Sequence, residues 1–250
     1  MYVHPKLLDK NSRIVAGHRG IKAHYPENTI LSFEKAIELG VDMLEMDLNV
    51  TRDGEIVVIH DLTVDRTTDG TGAVRSLTLK EIKALDAGVR LFPEFKGQRV
   101  PAFNEFCQLI ARHPAMLLNV EIKDYSEECV EKSLKILEKY NLVSNCVFTC
   151  FESEILKLFH LKYDLPTQGF SGFKLKHFEP GLKGTFSHMT AVGIEMSLLT
   201  PERVQDFEEM GILPWAYCPD DDRQAAYARY CGVRLVTCNN PEPSMRIFKD

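Results

Sequence analysis

The run Met43-Leu44-Glu45-Met46-Asp47-Leu48-Asn49-Val50 sets apolar residues at 44, 46, 48 and 50 against polar ones at 45, 47 and 49. A period of two marks an extended strand, whose successive side chains point to opposite faces. Upstream, Asn28 and Thr29 stand as caps before a helical stretch in which Ile30, Phe33 and Ile37 share a face, and a short apolar run at 14–17 precedes that. Downstream, comparable β-rich runs occupy 116–122, 146–150, 165–169, 191–196, 213–217 and 234–237. Helical stretches separate most of them: Ser126 precedes Val130, Leu134 and Leu137, and Thr200-Pro201 opens another that ends near Gly211. Strands alternating with helices imply parallel βαβ units. Eight of them in 250 residues predict an α/β fold, a (β/α)8 TIM barrel, with a doubly wound sheet as the alternative.

The composition agrees with one such barrel, since a length of 250 at about 150 residues per domain is a soft prior that allows either one large or two small domains. With 44% hydrophobic and 26% charged residues, disorder, collagen-like repeats and a disulfide scaffold are excluded. Thirty basic against thirty-six acidic residues leave a net charge of −6, so no global field draws in nucleic acid or an anionic membrane. An anionic substrate needs a local cation. Seven cysteines, odd in number and without CxxC pairs, read as reduced core residues. The first fifteen residues lack the apolar run of a secretory signal, and no window reaches the eighteen apolar residues of a membrane span. The expectation is a cytoplasmic protein without stable membrane insertion; its oligomeric state is left open.

Two stretches interrupt the rhythm. Residues 54–101 hold a turn at Arg52-Asp53-Gly54, a short strand at 56–59, a Gly/Thr-rich loop and a helix opened by the capping box Thr78 to Glu81, and read as an insertion on the active face of a single domain spanning 1–250. Residues 170–188, with three glycines and several Lys and Phe, stand where a helix is expected and read as a cover over the barrel mouth.

Catalytic groups of such barrels sit at the C-terminal ends of the strands. Glu45 and Asp47 share a face, either the barrel interior or the outer helix layer; inside, two bare carboxylates repel unless a cation such as Mg²⁺ or Ca²⁺ lies between them. A half-exposed strand with both acids in water is the plainer reading. Glu121 and Lys123, again two apart, end the third barrel strand, where Glu121 could complete a three-carboxylate site and Lys123 could meet a phosphate oxygen. His18 and His60 each follow an apolar strand, and a facing pair of imidazoles can exchange protons near neutral pH. Arg19 offers a planar fork to phosphate, with Gly17 and Gly20 allowing close backbone approach.

These residues resemble the glycerophosphodiester phosphodiesterase family. The resemblance rests on Gly17-His18-Arg19-Gly20, Pro26-Glu27-Asn28-Thr29, Glu45-x-Asp47, Thr51-x-Asp53-Gly54, His60-Asp61, Arg66-Thr67-Thr68 with Gly70-x-Gly72, and Glu121-x-Lys123, and continues more weakly through 195–200 and Trp215. It implies a barrel with a small insertion after the second strand, one divalent metal on Glu45, Asp47 and Glu121, His18 and His60 as the acid/base pair, and Arg19 and Lys123 on the phosphate. It further implies attack by the substrate's own glycerol 2-hydroxyl, which fits the lack of a Ser, Cys or Thr nucleophile beside a base. Trp215, the only tryptophan, either walls the glycerol pocket or fills the barrel. The chain departs from the family late: Trp215-Ala216-Tyr217-Cys218 and Thr237-Cys238-Asn239-Asn240-Pro241 stand where Trp-Thr-Val-Asn and Thr-Asp-x-Pro are usual. The competing expectations are phospholipase D-like cleavage of lysophospholipid or sphingolipid headgroups, using the aromatic stretch 170–186, and a non-catalytic phosphodiester-binding barrel.

Overall fold

The computed structural model describes residues 1–249, the side chain of Phe173 excepted. Among the described residues nine strands form: β1 Ile14–His18, β2 Met43–Val50, β3 Ile56–Val58, β4 Leu117–Ile122, β5 Cys146–Thr149, β6 Thr167–Phe170, β7 Ala191–Glu195, β8 Leu213–Tyr217 and β9 Leu235–Cys238. All except β3 pair in parallel, and the contacts β1–β2 and β1–β9 close the sheet into an eight-stranded barrel. β3 runs antiparallel on β2, with Leu48 opposite Val58 and Val50 opposite Ile56.

The two-residue period of the strands separates two apolar layers. Val15, Leu44, Met46, Leu48, Leu118 and Val120 belong to the larger cluster, packed with residues of the surrounding helices such as Phe33, Phe106 and Leu134. The alternate residues point inward, and Ile14, Ala16, Met43, Leu117, Val147 and Trp215 fill the bottom of the barrel. Higher up, the inward positions turn polar. Asn119 Nδ2 donates to Gln168 Oε1 at 2.8 Å, Thr149 donates to Asn119, and the Trp215 indole N–H donates to Thr237 Oγ1 at 2.7 Å. At the C-terminal ends the inward residues are charged. The interior therefore runs from apolar through neutral polar to ionic along one axis, and each buried polar group of the middle layer finds a partner, as burial demands.

Helices Ile30–Leu39, Phe103–Ile110, Glu127–Lys139, Ser153–Tyr163, Pro201–Glu209, Asp222–Tyr230 and Glu242–Lys249 follow their strands. Thr29 caps the first, accepting from Ser32 N. Asn28, expected as a second cap, instead reaches into the barrel. Between β6 and β7 no α-helix forms; residues 170–188 fold as two 3-10 turns, Gly172–Lys174 and Thr185–His188. Three of the phenyl rings pack inward: Phe170 stacks on Phe151 at 3.8 Å, Phe178 packs on Phe186, and Phe186 packs on Phe207. The stretch 54–101 carries β3, the helix Leu79–Ala84 with its Thr78/Glu81 capping box, and a small core of Val57, Ile59, Val64, Val74 and Ile82. Six cysteines are buried and Cys218 is half-buried; all seven are free thiols. No helix is long and apolar enough to cross a membrane among the described residues.

Candidate active site

Register places the acids. Glu45 lies beside Asn119 and Asp47 beside Glu121 across the β2–β4 ladder, and all four side chains point into the barrel, which settles the open choice of face for Glu45 and Asp47. Glu45 is 2% exposed, Asp47 0% and Glu121 7%. One oxygen from each lies within 4.8 Å of the others. Burial and the neighbouring Asp47 charge push the Glu45 carboxyl well above its usual range, and burial, with Asp47 adding to it, raises Glu121 against the pull of Lys123. Asp47 goes the other way: against burial, Arg19 first, then His60 and Lys123, hold it at about 2.

A cation fits this cluster. Glu45 Oε1, Asp47 Oδ1 and Asn28 Oδ1 are buried and accept no hydrogen bond, an expensive arrangement for three oxygens unless an ion takes their lone pairs. With every carboxyl ionised, as ligation requires, Glu27, Glu45, Asp47, Asp61 and Glu121 face Arg19, Arg66 and Lys123 around the mouth, a surplus of two negative charges. All-oxygen donors with a surplus of two match a hard divalent ion.

The turn after β1 is built for close approach. Gly20 has φ +85°, and a Cβ there would come within 2.2 Å of Ser32 Oγ, so the glycine serves the packing of the turn on the helix start rather than contact with a ligand. Arg19 (φ 54°) and Asn28 (φ 56°) occupy the left-handed region despite their side chains. What holds Arg19 there is a backbone N–H donated to Glu45 Oε2 at 2.9 Å and a guanidinium set between Glu27 (2.9 Å) and Asp47 (3.1 Å). Asn28 Nδ2 donates to Asp47 Oδ2 at 2.8 Å.

His18, at the end of β1, presents Nε2 3.8 Å from Glu45 Oε2, while its Nδ1 lies 2.6 Å from Asn239 Oδ1. Burial first, then Arg19 and Lys22, push its imidazole down to about 3. His60 follows β3, so it reaches the mouth from the antiparallel ribbon rather than from a barrel strand. Its Nδ1 sits 2.6 Å from Asp61, which Arg66 grips in turn, and Arg66 also grips Glu27. Lys123 Nζ pairs with Glu121 at 2.7 Å and lies 5.2 Å above the Phe151 ring.

Of these groups His18, Arg19, Glu45, His60, Glu121 and Lys123 line one cavity of about 230 Å³ together with Phe151, Phe170, Tyr217 and Cys218, and Asp47 lies buried beneath it. Of the eight residues expected from sequence, the structure brings seven together there or directly beneath it. Trp215 is the exception: 0% exposed and packed among Ile14, Met43, Leu117 and Leu235, it fills the lower barrel and does not wall the pocket. Sequence reasoning missed Asn28 as a partner of Asp47, the Glu27–Arg66 clamp, the Asn119–Thr149–Gln168 layer and Asn239. The first two lie inside motifs already marked, Pro26-Glu27-Asn28-Thr29 and Arg66-Thr67-Thr68.

Residues 18–243 match the model of the glycerophosphoryl diester phosphodiesterase family. A glycerophosphodiester phosphodiesterase of Caldanaerobacter subterraneus subsp. tengcongensis is 42% identical over 147 residues, 58% of this chain and 60% of that one's length. A putative glycerophosphodiester phosphodiesterase of Bacillus subtilis is 29% identical over 232 residues, 91% of this chain and 95% of its own. Among solved structures, an Oleispira antarctica phosphodiesterase in complex with the product sn-glycerol-3-phosphate superposes with a TM-score of 0.84 at 25% identity, covering 96% of this chain and 98% of that one.

Proposed function

The chain belongs to the glycerophosphoryl diester phosphodiesterase family of enzymes, and on that premise we propose that it hydrolyses glycerophosphodiesters to glycerol 3-phosphate and an alcohol with the help of one divalent cation, Mg²⁺ or Ca²⁺. The observation that carries this is the buried triad Glu45, Asp47 and Glu121, which converges in the barrel mouth beside two anchored histidines and includes unpartnered oxygens of Glu45 and Asp47. Glu45, Asp47 and Glu121 would hold the ion, with Asn28 Oδ1 at hand. Bound there, a divalent ion supplies Lewis-acid neutralisation of the phosphoryl charge.

Arg19 and Lys123 are the cations placed to meet the phosphate, one through a guanidinium and one as a point charge. In the first half-reaction the glycerol 2-hydroxyl attacks phosphorus, the bond to the headgroup oxygen breaks, and a five-membered cyclic phosphate forms. One histidine takes the hydroxyl proton and the other returns a proton to the leaving alcohol. Water then opens the ring, and the two histidines exchange duties. No side-chain nucleophile is required, and the half-buried Cys218 thiol, pushed up to about 12 by burial and Asp220, stays protonated near neutral pH.

The inward packing of Phe170, Phe178 and Phe186 favours water-soluble substrates over lipid. The test compares choline release from glycerophosphocholine with release from lysophosphatidylcholine vesicles at matched headgroup concentration. Turnover of the soluble diester is the expected result. Activity on vesicles alone would replace this reading with the lipid-cleaving one, and binding without turnover would leave a phosphodiester-binding barrel.

A further inference from the structure

His18 owes its orientation to residues more than two hundred positions away. Its Nδ1 lies 2.6 Å from Oδ1 of Asn239, just beyond β9, brought there because barrel closure sets β1 beside β9. Asn239 is itself held by Asp220, in the loop after β8. Asn239 Nδ2 donates to Asp220 Oδ2 at 2.6 Å, and the backbone N–H groups of Asn239 and Asn240 donate to Asp220 Oδ1 at 2.7 and 3.1 Å.

The donor and acceptor inventory then fixes a proton. A carboxylate receiving three N–H groups offers only acceptors, so the amide end of Asn239 facing it is the NH₂. The carbonyl end faces His18 and can only accept, so the hydrogen between them resides on Nδ1. Nε2 is left with a lone pair, on the side of Glu45 and the cavity. Cys218 Sγ, 3.7 Å from the same Nδ1, makes only a soft, weak contact and does not compete for this proton. His60 differs in one respect: its Nδ1 meets a carboxylate directly, Asp61 at 2.6 Å, with no intervening amide.

We infer that Asp220 and Asn239 are positioning residues that lock His18 in its Nδ1–H tautomer, so that Nε2, on the cavity side, is its proton acceptor in the reaction. This rests on the hydrolysis proposed above, and the arrangement uses Asn239 and Asp220 of this chain rather than anything carried by Cys218.

The experiment is imidazole ¹⁵N NMR on the full chain, with and without Mg²⁺, beside steady-state kinetics on glycerophosphocholine. Wild type is expected to show His18 protonated at Nδ1. In Asp220→Asn the Asn239 amide loses its fixed sense; the His18 signal moves toward the Nε2–H form, and kcat falls roughly a hundredfold, within the range of general acid–base catalysis, with KM little changed. The exchanged pair Asp220→Asn with Asn239→Asp again offers an acceptor to Nδ1 and a donor to that acceptor, and is expected to restore both the tautomer and most of kcat. Nδ1 unprotonated in wild type, an unmoved tautomer in Asp220→Asn, or a restored tautomer without recovered kcat would each overturn the inference. A wild type that turns over no diester refutes the proposed function instead, and the tautomer signals still decide the positioning.

Discussion

Replacing Glu45 with Gln separates what the acidic cluster costs the fold from what it does with a cation. In the ion-free protein, burial and Asp47 raise the Glu45 carboxyl well above its ordinary 4.5. A carboxyl raised on folding is neutral at little cost below its unfolded value, and destabilises the fold increasingly as pH climbs above it. At pH 7 this penalty is capped at about 3 kcal/mol, the work of keeping a proton that the unfolded chain would release, at 1.36 kcal/mol per pH unit. Gln keeps the shape and the oxygen that accepts the Arg19 backbone N–H, and has no proton to retain. At roughly 2–4 °C per kcal/mol for a chain of this length, the ion-free variant is expected to melt above ion-free wild type at pH 7, by up to about 6–12 °C, and the gap is expected to close toward pH 4.5. The order reverses on titration with the ion. Wild type gains about 2.7 kcal/mol at a hundredfold excess over its Kd, whereas the variant, short of one anionic ligand, gains much less. Differential scanning fluorimetry at pH 4.5, 6 and 7, with and without Mg²⁺ or Ca²⁺, reads all of this. A variant that melts below ion-free wild type at pH 7, or that gains as much from the ion, would refute the reasoning.

Two further outcomes follow from placement. Trp215→Ala is expected to cost about 3–5 kcal/mol through the cavity it leaves in the lower barrel, lowering Tm by roughly 6–20 °C while KM stays unchanged; a raised KM at constant Tm would return Trp215 to the pocket wall. Thiol titration at pH 7.5 with a disulfide reagent is expected to find the native protein nearly inert over minutes and all seven thiols reactive after unfolding, because burial raises Cys218 to about 12 and the other six are buried. Rapid native reaction of one thiol would contradict the packing around Cys218.

Much of the barrel was readable because period-two strands carry their own face assignment: once Met43–Val50 is a strand, Glu45 and Asp47 must point together, and Glu121 follows by register on β4. The remaining site residues hid for physical reasons. Asn28 looks like a helix cap, and only its positive φ turns the amide toward Asp47 instead. Asn119, Thr149 and Gln168 interrupt apolar runs and read as noise until the closed barrel sets them in one hydrogen-bonded layer. Asn239 meets His18 only because the sheet closes, and no local pattern announces a closure. Trp215 offered no way to tell height within the barrel, since the same face of β8 runs from the apolar floor to the polar mouth. Residues 170–188 lack helical periodicity because the rings of Phe170, Phe178 and Phe186 serve loop packing one by one, and two short 3-10 turns result.

The most direct measurement is glycerol 3-phosphate release from a panel of glycerophosphodiesters by protein stripped of metal and then given Mg²⁺ or Ca²⁺, with Glu45→Ala in parallel. Hydrolysis that vanishes on stripping, returns with a divalent ion and stays absent in Glu45→Ala is the expected result. Full turnover by the stripped protein, or by Glu45→Ala, would contradict the assignment of the buried carboxylates.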